Sequence, residues 1–228
     1  MPFFEPPPHE DNPWDRPSPP QPPWSAPPRG VIPGSAPLEL VIAHTGSAAV
    51  AVSGAAVYPT GLTFSLVVRV RSLSAQVRPL DELLMGVRRR GPSQAQDLLR
   101  FGVAFSDGRV ATNVYGSRGP AGPDFDQAPS ISLAPTGGSG GDLSYEARWW
   151  LWPLPSPGAL TFVCEWPLMG IPESTREIDA APILEAAARA IELWPGDLTA
   201  EGDTTSSTTS TLLVLQSEEE PPAAPGSR

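Results

Sequence analysis

Residues 144–195 decide the fold, and they read SYEARWWLWPLPSPGALTFVCEWPLMGIPESTREIDAAPILEAAARAIELWP. This stretch contains five of the seven tryptophans and the only cysteine of the 228-residue chain. Aromatic and aliphatic residues over 144–152 and 159–166 predict two strands. Between them, residues 153–158 are too rich in proline to join a sheet. A short strand over residues 175–178 then leads into a helix.

The first of these strands is apolar on both faces. Successive side chains of a strand point to opposite sides of the sheet. Trp149 therefore shares one face with Tyr145 and Leu151, while Trp150 and Trp152 share the other. Each buried tryptophan removes about 150–250 Å² from water, which favours cover on both sides, by a second sheet and by the helix. The alternative is an exposed platform of Trp150 and Trp152 on which a sugar or a peptide stacks.

An amphipathic helix is predicted over residues 182–194. Asp179 is placed to cap its first turn, and Pro182 falls where a backbone N–H has no helical acceptor. Pro195 and the glycine after it end the helix. One face carries an apolar stripe at helical spacing, made of Leu184, Ala187, Ala188, Ile191 and Trp194.

Upstream segments show the two-residue period of strands. Residues 38–42 and 50–52 predict two strands joined around residues 45–47. The clearest strand covers residues 62–71, where apolar side chains face one way and polar ones the other. One buried and one wet face are typical of an antiparallel sheet.

A β-hairpin is predicted over residues 99–115. Its first strand alternates from Leu99 to Phe105, and Asp107-Gly108 is the residue pair favoured in a two-residue type I′ turn. Further on, residues 131–133 begin a strand that we expect to end in a glycine-rich turn at residues 137–141.

The two ends of the chain differ in composition from the middle. Residues 1–37 contain 14 prolines and predict a polyproline-like, disordered arm. Residues 196–228 are acidic and of low complexity, which predicts a disordered tail. Within that tail, residues 212–215 (LLVL) are either a docking strand or an incidental apolar patch. Residues 38–195 form the predicted domain.

Several residues of the arm are candidate contacts with a protein partner. Arg16, Pro19 and Pro22 have the Arg-x-x-Pro-x-x-Pro spacing that aromatic-lined grooves of SH3-type domains bind. Trp14 and Trp24 each follow a proline and could serve as anchors. Two alternatives remain: proline-dense sequence produces such spacings by chance, and the tryptophans could fold back on the domain.

Charge and hydropathy narrow the classes of partner. The formal net charge is −10, and a nucleic-acid or anionic membrane surface needs a basic footprint. The longest apolar run, residues 48–58, is far shorter than the roughly 20 residues of a membrane span. The start of the chain has no signal-peptide pattern. We therefore expect a cytoplasmic protein that binds neither nucleic acid nor membrane.

No motif in the sequence predicts catalysis. Residues 137–141 match the Gly-x-Ser-x-Gly string, but the nucleophile elbow needs a strand before it, a helix after it and a histidine partner. The histidines are His9 and His44, both far upstream. Cys164 alternates with large apolar residues and is expected to be a buried, inert thiol. We expect no catalytic residue, no metal site and no cofactor.

The block formed by residues 153–166 and 178–195 resembles uncharacterised proteins of high-GC Gram-positive bacteria, the actinobacteria among them. The resemblance extends over roughly residues 30–195. The proline-rich start is similar only in its kind of sequence. It implies a bacterial cytoplasmic setting. It implies no activity, and no catalytic residue is carried over from it.

These observations predict a mainly β chain with disordered termini. The expected architecture is an antiparallel two-layer β-sandwich of immunoglobulin-like type, with one C-terminal amphipathic helix. The expected function is that of a non-enzymatic cytoplasmic interaction or structural protein whose tails dock partners. The alternative is a β-sandwich module that binds a carbohydrate or a peptide through exposed tryptophans.

Overall fold

The strands form three sheets in the computed structural model, which describes residues 21–72, 98–113 and 129–194. These ranges contain one α-helix, α1, at Ala181–Ala187 and one 3₁₀ turn at Pro167–Met169. The strands are β1 Val31–Ile32, β2 Gly34–His44, β3 Ala48–Tyr58, β4 Gly61–Val70, β5 Arg100–Phe105, β6 Val110–Thr112, β7 Ser132–Gly141, β8 Ser144–Trp152, β9 Ala159–Trp166, β10 Ile171–Asp179 and β11 Ile191–Glu192.

Most of the fold consists of two antiparallel sheets. The five-stranded sheet has the order β2-β3-β4-β8-β7, and the four-stranded sheet has the order β10-β9-β5-β6. The chain passes from one sheet to the other after β4, after β6 and after β8. A third, two-stranded sheet pairs β1 with β11.

The inner faces of the two larger sheets meet in an aromatic core. The ring of Phe64 on β4 lies 5.5 Å from that of Phe162 on β9 and 6.0 Å from that of Phe101 on β5. Trp149 on β8 lies 6.0 Å from Phe101, and all four rings are buried. Aromatic pairs at such distances contribute about 0.5–1.5 kcal/mol beyond their buried area. These four rings therefore join the sheets.

The mainly β, antiparallel prediction is confirmed. Residues 38–42 and 50–52 lie within β2 and β3, and the predicted strands at 62–71, 144–152 and 159–166 match β4, β8 and β9 to within one residue. Side chains alternate between more and less buried along β2, β3 and β9, which is the physical reason that their sequences could be interpreted correctly.

The β5–β6 hairpin is confirmed, but its predicted turn is wrong. Phe105 N–H donates to the Arg109 carbonyl oxygen, and Gly108 N–H donates to the Phe105 carbonyl oxygen. The loop therefore has three residues, and only Gly108 has a positive φ, of 87°. Asp107 instead accepts hydrogen bonds from the backbone N–H and the guanidinium of Arg109. These bonds hold the pKa of Asp107 well below its usual range.

The predicted glycine-rich turn at residues 137–141 is also wrong. These residues form the second half of β7 and pair with β8, and the chain turns at residues 142–143. The physical reason is the side chain of Tyr145. A Cβ at Gly138 would meet its hydroxyl at 2.5 Å, and a Cβ at Gly140 would meet its ring at 2.8 Å. The glycines leave room for an aromatic ring over the sheet edge.

The helix is shorter than predicted and buries other residues. It ends at Ala187, not Trp194, and its buried side chains are Ile183 and Ala186 rather than the predicted stripe. Residues 191–192 pair with β1, so strand pairing replaces further helix, and Trp194 is 59 % exposed. Asp179 is predicted to cap the first turn of the helix. Its carboxylate does accept a hydrogen bond from a backbone N–H of that turn, the one of Ala181.

The boundary of the predicted arm is corrected as well. Residues 21–37, which the composition assigns to a disordered arm, include a turn, β1 and the start of β2. Pro37 is tolerated within β2 because β2 is an edge strand and its pairing with β3 is irregular between Ala36 and Glu39. The predictions for residues 1–20, for the tail 196–228 and for its segment 212–215 fall outside the described residues.

The aromatic core leads to a prediction about stability. We expect Phe64→Ala to lower the free energy of unfolding by about 3–5 kcal/mol, since it leaves a cavity between the sheets. Urea denaturation measures this change. The control is Val41→Ala on β2, where the side chain is 52 % exposed and the expected change is within about 0.5 kcal/mol. Similar losses in the two variants would contradict the assigned core.

Candidate functional site

Trp150 lies on the outer face of the five-stranded sheet, yet its side chain is completely buried. The ring of Tyr58, from β3, meets it edge-on with centroids 5.6 Å apart. Gly61, at the start of β4, makes room for it, because a Cβ there would lie 2.7 Å from the indole ring and 2.5 Å from the Leu151 carbonyl oxygen. Tyr58, Trp150 and Trp152 are called the aromatic cluster below.

A proline-rich segment covers this cluster. Residues 21–30, called the strap, contact the outer face of the sheet before the chain enters β1. The indole Nε1–H of Trp150 donates to the Pro23 carbonyl oxygen at 3.0 Å. The ring of Trp24 lies 6.2 Å from that of Trp152, in an edge arrangement. The strap thus supplies both a polar and an aromatic partner.

A β-turn fixes the shape of the strap at this point. Ser25 donates to the Pro22 carbonyl oxygen twice, from its backbone N–H at 2.9 Å and from its hydroxyl at 2.7 Å. Proline suits the early positions of such a turn because its φ is fixed. Pro23 and Trp24 occupy the centre of the turn, so the turn presents them to the aromatic cluster.

The energetics favour a covered cluster. Burying one tryptophan contributes up to about 4–6 kcal/mol at 25 cal/mol per Å², an upper bound. The bond from Trp150 to Pro23 adds about 1 kcal/mol net, and it satisfies an indole N–H that would otherwise be buried without a partner. Removing the strap would lose both contributions.

The expected cover of Trp150 was the helix, and this expectation is wrong. Helix α1 packs at the β2 edge of the sheet, where Gly34 approaches the Ala186 carbonyl oxygen so closely that no Cβ would fit. The strap occupies the outer face of β8 instead. Trp150 has no exposed surface in this arrangement, and Trp152 is half-buried against Trp24.

The other predicted contact residues divide into two groups. Trp14, Arg16 and Pro19 lie outside the described residues, so their roles stay predictions. Pro22 and Trp24 both lie in the strap, Pro22 as a turn acceptor and Trp24 as a ring partner.

Sequence analysis missed Pro23, Tyr58 and Gly61. Nothing in the sequence around Gly61 indicates that it lies against Trp150. Likewise, nothing in the sequence distinguishes Pro23, which accepts the indole hydrogen bond, from the prolines near it. Only the suggestion that the tryptophans could fold back pointed to this arrangement, and it named no surface for them.

The described residues contain little that fits catalysis. Cys164 is 1 % exposed, and burial raises the pKa of its thiol to about 11, so the thiolate is scarce at neutral pH. Ser139 lies within β7 rather than on an elbow, and His44 belongs to β2 at the opposite edge of the same sheet.

Residues 21–72, 98–113 and 129–194 contain no group of three or more His, Cys, Asp or Glu residues placed to hold a metal ion. No helix among them is long and apolar enough to cross a membrane.

Comparison with protein-family models, with curated proteins and with solved structures finds no match to this chain. The aromatic cluster, the strap and the surface beside them are therefore the features that bear on function.

The covered cluster predicts how Trp150→Phe behaves. The substitution keeps an aromatic ring but removes the donor to Pro23, so we expect the free energy of unfolding to fall by about 1–2 kcal/mol. We also expect faster tryptic cleavage after Arg29, an exposed residue of the strap. Urea denaturation and timed proteolysis measure the two effects.

The control for this experiment is Val110→Ala, because Val110 is 58 % exposed and lies on β6 of the four-stranded sheet, away from the strap. It should change the free energy of unfolding by no more than about 0.5 kcal/mol. It should change the rate of tryptic cleavage by no more than the scatter between repeated measurements. Equal effects of the two substitutions would show that Trp150 does not hold the strap.

Proposed function

We propose that this chain is a non-enzymatic interaction protein whose β domain binds proline-rich segments on the aromatic cluster. One observation carries the proposal: the cluster already holds such a segment, the chain's own Pro23 and Trp24. The strap is then the intramolecular form of a contact that a partner's proline-rich segment also makes.

The chemistry of the cluster supports this class of ligand. Aromatic-lined grooves bind proline-rich chains because the extended backbone is stiff and loses little entropy on binding. A proline ring packs on aromatic rings, and its carbonyl oxygen is a strong acceptor for an indole N–H. Trp150 makes this hydrogen bond to Pro23.

Binding in trans requires that the strap leave the cluster. The strap is joined directly to β1, so its effective concentration at the cluster is of the order of millimolar. A partner competes with it, and the apparent affinity is reduced by the fraction of molecules in which the cluster is free. The alternative function, a carbohydrate or peptide stacked on Trp150 and Trp152, needs the same displacement.

We also propose that the two larger sheets form an immunoglobulin-like sandwich. In that fold, strands A-B-E-D form one sheet and G-F-C form the other, with C′ added in the variable type. The orders β3-β4-β8-β7 and β10-β9-β5-β6 agree with these sheets if β4 is taken as B and β5 as C. Such sandwiches host many unrelated functions, so the functional proposal rests on the site.

The proposed setting is the cytoplasm of a high-GC Gram-positive bacterium, as the resemblance of residues 30–195 implies. We propose a protein partner and no nucleic-acid partner, which is consistent with a net charge of −10. We assign no catalytic residue and no cofactor.

A peptide with the strap sequence, QPPWSAPPRG, tests the proposal. Labelled with fluorescein, it should bind the full-length Trp24→Ala variant saturably and about tenfold more tightly than the wild-type chain. The reason is that the wild-type strap occupies the cluster and the variant strap holds it less well. Fluorescence anisotropy measures both affinities.

Two controls accompany this titration. A peptide that carries Pro23→Ala and Trp24→Ala should bind neither chain. Adding Trp150→Phe to the Trp24→Ala chain should weaken binding of the unchanged peptide about fivefold, since the indole donor is lost. No saturable binding of the strap peptide to either chain would falsify the proposed function.

A further inference from the structure

A groove of about 550 Å³ crosses the outer face of the five-stranded sheet beside the strap. Its floor is made of small residues of β3 and β4, and its lining includes a proline of the strap. The side chains that give it its chemistry are those of Pro27, Tyr58, Thr63, Ser65, Thr136 and Arg148. Hydroxyl groups and one guanidinium thus surround a space large enough for a short peptide segment.

Arg148 is the exposed positive charge of this groove, and no described carboxylate neutralises it. Glu146 lies two residues away on the same face of β8, but it pairs with Arg69 at 2.6 Å. Glu39 lies three strands away, about 14 Å at roughly 4.8 Å per strand. Among the described residues, ion pairs join Arg69, Arg100 and Arg109 to carboxylates, and Arg148 takes part in none of them.

The groove and the aromatic cluster are continuous. Tyr58 belongs to both, since it lines the groove and its ring contacts Trp150. Burial raises the pKa of the Tyr58 phenol, and the positive charge of Arg148 partly offsets this. Pro27 also lines the groove, so the residues next to it in a bound segment are placed at the groove. In the chain's own strap these neighbours are Ala26 and Pro28, which carry no charge.

We propose that Arg148 binds a carboxylate of the partner, on an Asp or Glu residue adjacent to the position that Pro27 occupies in the strap. This inference rests on the proposed function and specifies its ligand as an acidic proline-rich segment. The strap leaves Arg148 without a carboxylate, so an acidic partner makes one contact that the strap cannot make. That contact favours the partner over the strap in their competition.

Variants of the strap peptide test the inference on the full-length Trp24→Ala chain. Peptides with Ala26→Asp and Pro28→Asp are compared with their neutral matches, Ala26→Asn and Pro28→Asn. We expect at least one aspartate peptide to bind about two- to fivefold more tightly than its asparagine match, the range measured for exposed ion pairs. The difference should shrink between 50 and 500 mM salt, roughly a threefold change in screening length.

Arg148→Gln in the same chain should abolish the difference between aspartate and asparagine peptides while the asparagine peptides bind as before. The matched control is Arg71→Gln, which removes an equal charge from an exposed arginine just after β4 and should leave the difference intact.

The outcomes separate the two proposals. Equal affinities of aspartate and asparagine peptides, with the unmodified peptide still bound, overturn the role of Arg148 and leave the proposed function standing. A difference that survives Arg148→Gln also overturns it. Failure of every peptide, the unmodified one included, overturns the proposed function and this inference together.

Discussion

Strand β8 carries tryptophan on both of its faces, and each face needs a cover that keeps the rings from water. The inner face is covered by the four-stranded sheet, through the contact of Trp149 with Phe101. The outer face is covered by the strap, through the hydrogen bond from Trp150 to Pro23. The first cover joins the two sheets. The second brings a proline-rich segment into the fold, and without it Trp150 would lose its cover and its hydrogen-bond partner.

The sequence predicts those parts of the fold in which local pattern and tertiary environment agree. Strands β2, β3 and β9 alternate between more and less buried side chains, so their period identifies them. Strand β8 is apolar on both faces and is identified by its aromatic and aliphatic residues instead. Prediction fails where a distant contact decides the outcome. The helix stops at Ala187 because the next residues pair with β1, and residues 137–141 form a strand because Tyr145 packs over their glycines. The strap was missed because a proline-rich segment has no period that would indicate what it covers.

Recognition and stability use the same surface in this account. The cluster is covered by the segment nearest in the chain, and in the proposed function a partner with similar chemistry competes for it. The strap offers Pro23 and Trp24 to the cluster but no carboxylate to Arg148. In our proposal, this unpaired charge distinguishes the partner from the strap. Exchange of one proline-rich segment for another changes few contacts, so the free-energy difference that selects between them is small.

The most direct measurement of the central claim is NMR spectroscopy of the full-length chain with ¹⁵N-labelled indoles. We predict nuclear Overhauser effects from the Trp150 Hε1 proton to protons of Pro23 and Trp24, because Nε1 lies 3.0 Å from the Pro23 carbonyl oxygen. The same indole proton should exchange with solvent far more slowly than that of the exposed Trp194. Absence of these effects, together with exchange of the Trp150 indole at the rate of free tryptophan, would contradict the account.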